Sequence, residues 1–317
     1  MIRIRNDKTI NQERAPLKEV LGYESSGSAH GSSFWKRLRG CPREEKLYKI
    51  GLRKTHVVND SLDLGSLYHL ALEHYYRAKM EGKSMRDCIE AAWKPLDPVR
   101  EASGYEDMYA DLDKMLTGYF EYSEDDQWII IAVEVEVEGF VTLPDGSKEP
   151  YTARLDLVVI DRLSGELRVI EHKTAKHYTE DLVIGYEADM QMLGQTWLML
   201  QNRSPLLPRL GGVTVNICVK PQKSKPAQYM RVDVRPTQYH LNEFETSLVQ
   251  WAQIAQKMAE VGHPKALGSC SGPIHYFKQC TYFNLCHQNA HFNPLAAFEA
   301  EDVPYGYELI EQTTTKP

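Results

Sequence analysis

The segment "TARLDLVVIDRLSGELRVIEHK", residues 152–173, constrains the fold more than any other part of the chain. Two runs rich in leucine, valine and isoleucine flank a turn at Arg162–Gly165, which is the pattern of a β-hairpin. Both faces of both runs are apolar: Leu155, Leu157 and Val159 on one side, Val158 and Ile160 on the other, with Val169 and Ile170 in the second run. Strands of that kind are covered above and below, so the hairpin lies inside a sheet flanked by helices. The neighbouring segments fit. Helical spacing predicts a short helix from Ser33 and helices over 63–82, 105–122, 185–200 and 237–262, and alternation predicts strands over 128–143, 212–221 and 228–236. The result is an α/β core with a central mixed sheet, preceded by a helical N-terminal section and followed by a Cys-bearing C-terminal tail.

The hairpin also carries charge where an interior strand should not. A turn centred between Leu163 and Ser164 sets Asp156 directly opposite Glu171, with Cβ atoms about 4.5–5.5 Å apart on one face. Two carboxylates there repel unless a proton or a cation sits between them. A hard dication fits, because Mg²⁺ takes one or two carboxylates, keeps waters and accepts phosphate oxygens. Lys173, two residues after Glu171, falls on the same face, where it could hold a water or stabilise phosphate charge. A register shifted by one residue would separate these groups. Upstream, "VEVEVE" sets Glu134, Glu136 and Glu138 on one face; this reads as a solvated edge or as a source of one more acid for the site.

Composition narrows the function classes. Hydrophobic residues make up 42% and charged residues 26%, ordinary for a globular protein. No apolar run approaches the ~18 residues of a membrane span. The N-terminus lacks the apolar core of a secretory signal, so the expected location is the cytoplasm (the host's, for a viral protein). A net charge of −7 excludes a uniformly basic protein, although residues 35–46 and 220–226 are locally basic. Of six cysteines, Cys270, Cys280 and Cys286 crowd near the C-terminus, while Cys88 and Cys218 sit in apolar helix and strand patterns that suit packing.

The stretch "RLDLVVIDRLSGELRVIEHKTAK" resembles the core of the PD-(D/E)XK nuclease superfamily, with Asp156 as its first acid and Glu171-His172-Lys173 as the (D/E)-x-K. Two further segments resemble its RecB-like exonuclease branch. "GSLYHLALE" is similar to the upstream helix whose histidine binds metal, here His69. "DMQMLGQTW" is similar to the Q-x-x-x-Y motif lying near DNA, with Gln191 matching and Gln195 standing where tyrosine is usual. The resemblance implies a restriction-endonuclease-like core over 33–262, an irregular segment over 1–32, and a tail over 263–317.

It further implies Mg²⁺ or Mn²⁺ held by His69, Asp156, Glu171 and the His172 carbonyl, with Asp156, Glu171 and Lys173 catalytic. Gln191 and Gln195 would contact DNA. Cys41, Cys270, Cys280 and Cys286 would bind a [4Fe–4S] cluster, with zinc as the alternative. The implied activity is a deoxyribonuclease acting as an exonuclease on single-stranded ends in recombination, repair or phage DNA metabolism, alongside a recombination or adaptation partner protein. The rival readings are a non-catalytic DNA clamp and a partner-dependent endonuclease subunit.

Overall fold

The computed structural model describes residues 15, 17–21, 28, 30–54, 60–222, 225–261, 280–287, 303 and 307–309. The helical N-terminal section contains α1 (Leu17–Leu21), α2 (Ser32–Gly40), α3 (Pro42–Lys49), α4 (Asp60–Met80), α5 (Met85–Trp93), α6 (Asp97–Glu101) and α7 (Glu106–Tyr122), with the short strand β1 (Leu52–Lys54) between α3 and α4. The sheet strands β2 (Trp128–Thr142), β3 (Lys148–Asp161) and β4 (Leu167–Ala175) follow. Then come α8 (Glu180–Glu187), α9 (Met190–Asn202), β5 (Leu210–Val219), β6 (Gln228–Val234), α10 (Gln238–Glu260), α11 (Phe283–His287) and β7 (Tyr307–Leu309). Among the described residues no helix is long and apolar enough to cross a membrane.

The expected α/β architecture is present. Five strands form one mixed sheet in the order β2-β3-β4-β5-β6, with β4 and β5 parallel and the other pairs antiparallel. Helices α4 and α7 cover one face, where Leu67, Leu112 and Leu116 meet Val133, Leu157 and Ile170. Helices α9 and α10 cover the other, where Met192, Leu198 and Leu248 meet Val158, Val169 and Val215. That two-sided cover is why the hairpin sequence is apolar on both faces.

One predicted element divides. Residues 185–200 read as one helix, but the chain breaks at Asp189, whose carboxylate caps α9 by accepting the Gln191 N–H at 2.7 Å. A capping acid starts a helix rather than continuing one. Lys36 of α2 donates to both oxygens of the same carboxylate, at 3.0 and 3.3 Å, and so ties the N-terminal section to the start of α9. Farther along, α9 lies close on β3 because of Gly194: a Cβ there would stand 2.1 Å from the Tyr151 hydroxyl, which donates to the Met190 carbonyl. The close approach brings the inner face of α9 down onto β4.

A second, two-stranded sheet pairs β1 with β7, Leu52 opposite Leu309. Beneath it Leu47 and Leu52 pack with Tyr282 and Leu285, and the Tyr282 hydroxyl donates to the Leu52 carbonyl at 2.7 Å. Cys280 and Cys286 lie on the rim of this cluster, and Cys41 is buried at the junction of α2 and α3. Cys270 lies outside the described residues. Cys88 and Cys218 are buried in the core beneath α4.

Candidate active site

The site forms where β4 parts from β3. Their ladder runs from Ile160↔Leu167 to Leu157↔Ile170, the register that carries Asp156 toward Glu171. The ladder stops there. Asp156 Oδ2 instead accepts the backbone N–H of His172 at 2.8 Å, while β4 continues beside β5 as far as Ala175↔Val219. A side chain thus takes the place of a ladder bond and keeps the buried N–H satisfied. Asp156 and Glu171 stand at the gap where the ladder ends.

Helix α4 supplies His69, whose Nδ1 stands 3.3 Å from Asp156 Oδ2. The third member comes from β2. Glu134 has φ +50°, the only non-glycine residue with positive φ among the described residues. Val133↔Leu157 and Val135↔Leu155 bracket it in register, so it lies across from Asp156. The left-handed backbone, costing about 1–2 kcal/mol, breaks the alternation of "VEVEVE". The Glu134 side chain turns inward, 16% exposed, while that of Glu136 stays 72% exposed. Of the three glutamates, read from sequence as a solvated edge or as a source of one acid for the site, Glu134 is the one drawn inward. One donor atom each from His69, Glu134 and Asp156 lies within 4.8 Å of the others.

Glu171 faces a different set of partners. It is 2% exposed. Its Oε1 accepts from Lys173 Nζ and from Gln191 Nε2, the latter at 2.6 Å, and its Oε2 accepts from Gln195 Nε2 at 2.7 Å. Lys173 Nζ also donates to Gln191 Oε1 at 3.0 Å. Of the two amides expected to reach DNA, Gln195 is 1% exposed and is turned to Glu171. Spacing i, i+4 on the inner face of α9 aims both glutamines at β4, where a buried carboxylate needs donors. Sequence also missed what His172 does with its ring, which sits between Tyr76, Tyr119 and His69 with Nδ1 3.2 Å from the Asn216 amide.

Electrostatics sort these groups by role. Burial would raise Asp156, but His69, followed by His172 and Lys173, holds it well below the usual carboxylate range. His69 is moved the other way: burial opposes its charge, and Asp156 outweighs burial and raises it. Burial and the neighbouring Asp156 raise Glu171 against the pull of Lys173. Lys173 is raised, with Glu171 and Asp156 overcoming its desolvation. Burial drops the His172 imidazole to about 3, so that ring is neutral.

Glu134 is pushed up to about 7 by burial first, then by Asp156 and Glu73. Carboxylates that face each other with no cation between them behave this way. One imidazole and two carboxylates are also a donor set that Mg²⁺ or Mn²⁺ accepts. Because the folded state holds the Glu134 proton more tightly than the unfolded chain, whose value is 4.5, stability falls as pH rises from there through about 7. Glu134→Gln is therefore expected to raise the melting temperature of the metal-free protein at pH 8. It is also expected to shrink the rise that Mn²⁺ gives the parent chain. Thermal melts with and without Mn²⁺ check both; a variant stabilised by Mn²⁺ as much as the parent would remove Glu134 from the donor set.

A candidate exonuclease from Eubacterium rectale, solved at 2.19 Å, is similar at 13% identity and TM-score 0.44, over 92% of this chain and 96% of that one. The crystal structure of SSO0001 is similar at 12% identity and TM-score 0.35, over 76% of this chain and 82% of that one. No curated protein matches the chain. The family model of the PD-(D/E)XK nucleases matches residues 33–287, a span that takes in all but the first residue of α2, the whole five-stranded sheet and the gap at Asp156. The chain belongs to the PD-(D/E)XK nuclease superfamily.

Proposed function

We propose that this nuclease is a metal-dependent deoxyribonuclease acting as an exonuclease on single-stranded ends. The observation that carries the catalytic part is the opening between β3 and β4, with His69, Glu134 and Asp156 grouped on one side and a charged Lys173 beside Glu171 on the other. His69, Glu134 and Asp156 would hold Mg²⁺ or Mn²⁺, with Glu171 and the His172 carbonyl at the adjoining edge of β4. Such an ion lowers the pKa of its water and offsets charge on the phosphate.

The chain's own residues set the geometry. Asp156 fixes His69 and the His172 N–H with one oxygen. Gln191 and Gln195 hold Glu171, which in turn keeps the Lys173 ammonium charged and directed at the gap. Lys173 positions the attacking water or stabilises charge on the phosphate.

In the C-terminal region we propose that Cys41, Cys270, Cys280 and Cys286 hold a [4Fe–4S] cluster, zinc being the alternative. Support comes from the single apolar cluster that joins α3, next to Cys41, to the segment carrying Cys280 and Cys286. A partner protein in recombination or adaptation suits an exonuclease of this kind.

One experiment tests the reading. Protein purified without oxygen is given Mn²⁺ and end-labelled single-stranded DNA, linear or circular. The expected result is a brown protein that degrades the linear strand and spares the circle, which has no end. Cutting of the circle would make it an endonuclease. Binding without cutting would make it a clamp, and a colourless active protein would remove the cluster.

A further inference from the structure

Near the His69–Glu134–Asp156 group three cations stand out: Lys173, Arg77 and Arg154. Two make paired hydrogen bonds. Lys173 is held by buried Glu171 and by Gln191. Arg77 donates twice to Glu73 Oε1, at 2.9 and 3.0 Å, one helical turn beyond His69. Arg154 is held differently. Its Nη2 donates to Glu136 Oε1 at 3.1 Å, and its Nε stands 3.9 Å from Glu134 Oε2.

Glu136 lies directly across from Arg154 in the β2–β3 register and its side chain is 72% exposed. An ion pair with so wet a partner stabilises little and is readily exchanged. The Arg154 side chain is 32% exposed. A guanidinium in that position has N–H groups left over in the fork geometry that matches a phosphate. Its neighbour Glu134 is one of the three donors grouped for a cation. With a cation bound at that group, a phosphate held by the cation would lie beside Arg154, whose Nε stands 3.9 Å from Glu134 Oε2.

Resting on the nuclease reading above, we propose that Arg154 is a phosphate-binding residue. On this assignment it leaves Glu136 and takes a backbone phosphate of the strand lying across the His69–Glu134–Asp156 group. Glu136 is then a competitor that holds the guanidinium in place until nucleic acid arrives. The competing explanation is that Arg154 is only a counter-charge for Glu134.

The salt dependence of binding separates the two, because each phosphate contact contributes a slope of about −0.7 in log K against log salt for a single strand. Binding of a single-stranded DNA oligonucleotide is measured in a Lys173→Ala background with Mn²⁺, so that the strand stays whole. Arg154→Ala is expected to flatten the slope by about 0.7 and to weaken binding about fivefold at 0.1 M salt. Arg154→Lys should restore the slope with lower affinity, since the charge returns without the fork. Glu136→Gln should tighten binding.

An unchanged slope in Arg154→Ala, with loss confined to Mn²⁺ affinity, would overturn the proposal in favour of the counter-charge. Weaker binding by Glu136→Gln would also overturn it. Should the wild-type protein with Mn²⁺ leave the strand uncut, the nuclease reading itself falls. If wild type cuts and only the slope fails to move, the Arg154 assignment alone falls.

Discussion

Asp156→Asn is expected to lower phosphodiester hydrolysis by about a thousandfold, the scale of losing one fixed charge or donor that acts on the transition state. The carboxylate does three jobs that the amide cannot combine. Its Oδ2 accepts the His172 N–H that the β3–β4 ladder leaves over, and it orients His69 through Nδ1. It also contributes charge to the donor group with Glu134. Asparagine can keep the first of these and loses the other two, so the fold survives and the site does not. Acid stability gives a second readout. A carboxylate held below its unfolded value of 3.8 contributes stability that is present above that pH and is lost as pH falls below it. That acid-side loss should be smaller in the variant. Single-turnover hydrolysis with saturating Mn²⁺ and acid titration of the fold check the two effects. Activity within tenfold of the parent would move the metal site away from Asp156.

Lys173→Met carries the next largest effect and separates chemistry from stability. Hydrolysis should fall by about 10²–10³-fold as the ammonium proposed to act on the phosphate disappears. The fold should lose up to about 3 kcal/mol, because Glu171 stays buried without its cation, with Gln191 and Gln195 as its remaining donors. Glutamine at 171 removes that stranded charge. The double variant Glu171→Gln, Lys173→Met is therefore expected to recover most of the stability and none of the activity. Urea melts beside turnover assays decide it. A double variant as unstable as the single one would mean that the pair is held by packing and not by charge.

How much of this was legible in the sequence depends on the residue. The hairpin register could be read from its turn, because a symmetric turn at Leu163–Ser164 leaves one way to pair two runs that must both face a core. Asp156, Glu171 and Lys173 follow from that register and from period two. Glu134 could not be separated from Glu136 in this way. Alternation assigns both to one face, and the departure is a single left-handed backbone angle that no propensity of glutamate foretells. The break at Asp189 was in principle visible, since Asp followed by a helical run is a cap signal, but the apolar spacing across it continues unbroken. The holding role of Gln195 needed the close packing of α9 allowed by Gly194. The β1–β7 pair was beyond reach, because two three-residue strands far apart in sequence carry no periodic signal.

That pair has a consequence for the order in which the molecule assembles. Leu52 and Leu309 are partners separated by most of the chain, and closing a loop of that length costs about 5 kcal/mol of chain entropy. A ladder of three residues cannot meet such a cost alone. The contact becomes favourable only after the intervening sheet and helices have folded and brought residues 52 and 309 near each other. The region of Cys280 and Cys286, packed under this pair, then takes shape after the five-stranded sheet. The cluster proposed for those thiols would be loaded onto a nuclease core that already stands, and its loss would loosen the β1–β7 pair before it disturbed the gap at Asp156.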